Sequence, residues 1–173
     1  LDLGAERPEP RVMQRPPRSV GERLVDAALV TRAYLFLGPI EAAAAMAVFF
    51  FILGRGGWSW PQALASDGRL YLQATTACLS AIIVLQMANL YECRSTRASV
   101  LATGLVDNRL IVAGIAVELA LILLIDYTPW GNRVFGTAPI PAVAWLFALP
   151  FAAGLVALEE TRKAAVRRLS PRA

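Results

Sequence analysis

The sequence predicts an all-α polytopic membrane protein, four transmembrane helices in a bundle with both termini cytoplasmic. Three observations predict it. The chain of 173 residues is 57% hydrophobic and 17% charged, with a mean hydropathy of +0.52, which excludes a disordered chain and argues against an ordinary water-soluble domain. Its apolar residues gather into runs near the ~20 residues that cross a hydrocarbon core, rather than at amphipathic spacing. Its Lys and Arg residues are spread unevenly around those runs.

Residues 1–32 form a polar, Arg-rich loop that has neither the apolar core nor the cleavage site of a signal peptide, and whose first residue is Leu rather than Met. The chain therefore reads as a piece of a longer protein, or as one whose true start lies upstream. The first span covers residues 33–53 and holds Gly38-Pro39, a place for a kink. A Gly/Trp-rich turn, RGGWSWPQALASDGR, leads to the second span at 72–90. The connector YECRSTRASVLATGLVDNR is polar, and the third span, 110–125, is short. After the turn DYTPWGNRVFGTAP the fourth span runs over 138–158. Pro139 and Pro141 suit a helix start, whereas Pro150 falls mid-span, where it is expected to kink the helix and free the carbonyl near Leu146. Lipid tolerates such a break only where neighbouring helices cover it. Residues 159–173 complete the chain as a basic tail. Trp58, Trp60, Tyr71, Tyr127 and Trp130 all fall at span ends, where aromatic rings sit at the headgroup level.

Lys and Arg are retained on the cytoplasmic side, so their distribution sets the orientation. Fourteen of the seventeen lie in the opening loop, the central connector and the tail, and three in the other two turns. Both termini are therefore expected in the cytoplasm, with the tail also able to touch anionic lipid. The basic residues lack interleaved aromatics and sit at the ends of apolar spans, so no nucleic-acid partner is implied.

The chemistry-bearing residues are few. Cys78 and Cys93 stand fifteen residues apart in a chain without histidine, which argues against a zinc site, a disulfide framework and the usual general base. An ionisable group in mid-span costs at least about 2.5 kcal/mol, so each is a functional candidate. Glu41 and Glu118 qualify: each must be protonated, face a polar cavity, or meet a cation or donor on another helix. In the second span Gln86 and Asn89 share a helix face, with Thr75 three turns earlier near it. Carboxylate and amide oxygens are hard ligands for alkali and alkaline-earth cations and serve equally in a proton relay or as interhelical hydrogen bonds. Gln86, Asn89, Glu118 and Glu41 thus form a candidate cation or proton site. The chain has neither GxxxxGK[ST] nor GxGxxG, so no nucleotide cofactor is expected within it. On its own it would be an accessory or scaffold bundle, or a small proton-coupled transporter using Glu118.

The opening LGAERPEPRVMQRPPR resembles the cytoplasmic loop between the sixth and seventh membrane helices of type II P-type cation ATPases, with Arg11-Val12 in place of the family's acidic residue before the Met-x-Arg-Pro-Pro run. VLQMANLYECRSTRASV resembles the eighth helix and the loop after it, NRLIVAGIAVELALILLIDYTP the ninth, and WLFALPFAAGLVALEETRKAAVRR the tenth helix with its basic tail. The resemblance covers residues 3 to about 168. It implies the C-terminal membrane part of a cation pump, multi-pass in the plasma membrane, whose partners are the remaining helices and cytoplasmic domains of the pump, membrane lipids and the transported cation. Gln86 stands where calcium pumps of the sarcoplasmic reticulum class have a calcium-binding glutamate and sodium/potassium pumps have glutamine. Asn89 stands where the latter have an aspartate, Glu118 matches a ninth-helix glutamate linked to their third sodium site, and Glu41 falls close to a seventh-helix polar position. The phosphorylated aspartate of DKTGT and the domains that use ATP and Mg lie upstream in that family, so the resemblance implies no ATP hydrolysis by this chain alone.

Overall fold

The computed structural model describes residues 27–95, 99–104 and 106–169. The loop motif ending Met13-Gln14-Arg15-Pro16-Pro17-Arg18 lies outside the described residues, as do Arg97 and Arg172. The helices are α1 (Ala27–Thr31), a π-helical stretch (Arg32–Leu37), α2 (Gly38–Arg55), α3 (Arg69–Cys93), α4 (Val100–Thr103), α5 (Arg109–Tyr127), α6 (Pro129–Phe135) and α7 (Ala142–Leu169), with no strand among the described residues. Four helical spans, Leu29–Arg55, Arg69–Cys93, Arg109–Tyr127 and Ala142–Leu169, are long and apolar enough to cross a membrane. The all-α, four-span architecture read from the sequence is the one observed.

Proline chemistry sets two of the boundaries. Pro39 lacks an N–H, and its ring crowds the preceding turn of an α-helix. The backbone widens there into the π-helical stretch, which closes with the Gly38 N–H bonded to the Ala33 carbonyl, so the helix runs through Gly38-Pro39 instead of ending. At the other end of the chain, Pro139 and Pro141 keep residues 138–141 out of the helix that the apolar run suggests. α7 starts at Ala142 and continues through Pro150 to Leu169, well into the segment expected to be a tail.

α2, α3 and α7 pack around a seam of small residues. Ala74, Ala77 and Ala81 of α3 and Ala144 and Ala148 of α7 are buried with Ala45, Val48 and Ile52 of α2. Lipid tails are as apolar as leucine, so association in a bilayer depends on close van der Waals approach, which alanine permits. The gaps are filled by aromatics, with Phe51 and Phe147 stacked at a centroid separation of 3.9 Å. α5 sits at the edge of this trio, joined to α3 where Asp126 meets Ser80. It buries Ile111, Ile122 and Asp126 and leaves Val117, Leu121 and Leu123 exposed, a surface suited to lipid or to further helices.

A tight joint fixes α5 to α6. Thr128 caps α6 by accepting from the Gly131 N–H at 3.0 Å, and the Asn132 side-chain amide donates to the Ile125 and Asp126 carbonyls. Gly131 lies so close to α5 that a Cβ would come within 2.5 Å of the Leu124 carbonyl oxygen, and only glycine avoids that clash.

Candidate functional site

The pleat of α2 against α3 brings two of the sequence candidates into direct contact. Gln86 Nε2 donates to Glu41 Oε2 at 2.7 Å across 45 residues of sequence. Glu41 Oε1 is buried and makes no hydrogen bond. Together with Asn89, Cys93 and Arg32 these groups line a cavity of about 230 Å³. Asn89 Oδ1 accepts a weak bond from the Cys93 thiol at 3.6 Å. Thr75 is turned back on its own helix, donating to the Tyr71 and Leu72 carbonyls, and does not join the group. Glu118 is half-buried on α5 and is not among the residues lining this cavity. Three of the four candidates therefore converge, and the fourth sits on the neighbouring span.

The donor set has a definite chemical character. One carboxylate and two amides offer hard oxygen atoms carrying a single formal charge, suited to a small hard cation or a proton and poorly suited to soft transition metals. Among the described residues no group of three or more His, Cys, Asp or Glu could hold a metal ion. Among the described residues lining this cavity, Glu41 Oε1 is a carboxylate oxygen without a hydrogen-bond partner, and a buried acceptor without a donor is the atom that a cation or proton would satisfy.

A second polar cluster closes the same end of the bundle. Lys163 Nζ lies 2.6 Å from Glu92 Oε2, both side chains being essentially inaccessible, and 3.5 Å from Glu160 Oε1. Glu159 pairs with Arg162 on its own helix and with Arg32, each at 2.5 Å. Among the described residues three cations face three carboxylates, the balance under which buried ions are tolerated. The cluster ties the start of the first span to the ends of α3 and α7. Arg32, at the wall of the cavity, has its charge matched by Glu159.

The sequence reading passed over Glu92, Glu159 and Lys163 because they stand at span ends, where charge is ordinary. The signal was in the seams. Ala74, Ala77, Ala81 and Leu85 of α3 recur at spacings of three and four, and the same face reaches Glu92 two turns later. On α7 the buried Leu155 is followed on its own face by Glu159 and Lys163.

At the opposite end, Asp126 of α5 is fully buried. Its Oδ2 lies 2.7 Å from Ser80 Oγ on α3, Ser80 Oγ lies 2.9 Å from the Thr76 carbonyl, and Asp126 Oδ1 has no hydrogen-bond partner. Sequence reasoning missed this residue too, since it abuts the turn.

Four long apolar helices that bury Asp126 and the Glu92–Lys163 pair in their packing seams define a multi-pass membrane domain. The chain belongs to the family of cation-transporting ATPase C-termini ("Cation transporting ATPase, C-terminus"), which it matches over residues 1–165. It is 29% identical, over 97% of its length, to the sodium/potassium-transporting ATPase subunit alpha of Drosophila melanogaster. It is 27% identical, again over 97% of its length, to the alpha-2 subunits of Gallus gallus and Homo sapiens. The chain covers 18% of the first of these relatives and 19% of the other two. The match favours a pump segment over an accessory bundle or a small proton-coupled transporter.

Proposed function

We propose that this chain supports and partly lines the ion pathway of a cation pump in the plasma membrane, with both termini cytoplasmic. ATP and Mg act in domains upstream, where phosphoryl transfer supplies the energy that moves helices and turns the ion site from one side to the other. The four spans described here serve mainly as the anchored support. Glu41, Gln86 and Asn89 supply oxygen ligands from the first and second spans, and Glu118 supplies one from the third. The relatives are named for sodium and potassium transport, and a site with one carboxylate and two amides suits monovalent ions of that kind.

The observation that carries the reading is the contact between Glu41 and Gln86 in a half-open cleft between the first span and α3. An amide that holds one carboxylate oxygen while the other is left unpartnered orients that oxygen for a cation. Glu118→Ala in the full-length polypeptide should change the affinity or stoichiometry of the transported cation, whereas Cys78→Ala should change neither. Cation-dependent ATP hydrolysis measures both. Identical cation dependence in the Glu118 variant and the wild type would assign Glu118 to helix packing.

A further inference from the structure

Ser80 owns one hydroxyl proton, yet its oxygen sits at hydrogen-bond distance from two groups that otherwise only accept: the Thr76 carbonyl at 2.9 Å and Asp126 Oδ2 at 2.7 Å. A carbonyl oxygen has no proton to give. With an ionised carboxylate a single hydroxyl proton has to be shared between two acceptors; both contacts are full two-centre hydrogen bonds only if the carboxyl group supplies the second proton. The chain of donors then runs from Asp126 Oδ2–H to Ser80 Oγ, and from Ser80 Oγ–H to the Thr76 carbonyl, and each oxygen is used once.

Burial argues the same way. Asp126 has no accessible surface, and its Oδ1 lacks a hydrogen-bond partner. An ionised carboxylate there would be a buried charge without a cation, whereas a neutral acid leaves only an unpartnered carbonyl oxygen. The neighbouring elements bring Thr76 and Ser80 from α3, Asn132 from α6 and Thr137 from the turn before α7. None of these can ionise. Tyr127, next in sequence, directs its hydroxyl to the Ile140 carbonyl. No ion pair to Asp126 occurs among the described residues.

We infer that Asp126 is a resident proton-binding site, a neutral carboxylic acid whose proton joins α5 to α3 at the end of the bundle opposite the Glu92–Lys163 pair. Asparagine can replace this acid, because its side-chain N–H donates to Ser80 as the acid does.

Infrared difference spectroscopy on the full-length protein in membranes at neutral pH tests the inference. The wild-type minus Asp126→Asn spectrum should contain the carbonyl stretch of a protonated carboxyl group. Ser80→Ala, which removes the hydroxyl that receives the proton, should shift that band to higher frequency. This second variant keeps the test decisive if Asp126→Asn folds poorly. Loss of carboxylate bands in either comparison, with no protonated carboxyl band, would overturn the inference.

Discussion

The Glu92–Lys163 pair concentrates the energetics of one end of the molecule in two side chains. Each is the other's closest partner, at 2.6 Å and out of contact with solvent. Removing one member of such a pair leaves an uncompensated charge and costs about 3–5 kcal/mol. Glu92→Ala or Lys163→Ala should therefore lower the unfolding free energy by about that amount, measured by denaturant titration in detergent. The double change Glu92→Leu with Lys163→Met should be milder than either single change. A loss near 1 kcal/mol from the single variants, the worth of an exposed pair, would contradict the burial. These residues show where sequence legibility stops. Glu41 was visible as a candidate because it breaks an apolar run. Glu92 and Lys163 flank such runs, and their burial arises from tertiary seams that extend past the apolar segments. The contact between Glu41 and Gln86 was not legible either, since no local pattern states which face of α2 meets α3.

The helices themselves were largely legible, because lipid demands long, continuous apolar stretches and leaves few alternatives. What the pattern did not give was the behaviour at prolines. Gly38-Pro39 is absorbed by a π-helical widening, while Pro139 and Pro141 delay α7 to Ala142. The joint between α5 and α6 offers a test at this scale. Gly131 lies against the α5 backbone, and an added methyl group meets carbonyl oxygen rather than a movable side chain. Gly131→Ala should cost about 1–3 kcal/mol as overpacking and should make the α6 turn more susceptible to protease in detergent. Unchanged stability and cleavage would show that the joint is looser than the contact implies.

Across the whole molecule, the ion pairs put the start of the first span and the end of α7 at one end of the bundle, and the topology we propose from the basic residues has that end facing the cytoplasm. A cysteine introduced at Asp67 should react with a membrane-impermeant maleimide from outside intact cells, and one at Leu169 only after permeabilisation. The reverse pattern would invert the topology.

A cation path through the cleft between the first span and α3 would show in the cation dependence of ATP hydrolysis by the full-length polypeptide. Glu41→Ala and Gln86→Ala are each expected to shift the half-activating cation concentration by about tenfold, the effect of losing a hydrogen bond to a charged group. The two residues touch, so the double variant should fall short of the product of the single shifts. Activation curves for all three variants that superimpose on the wild type would contradict the account.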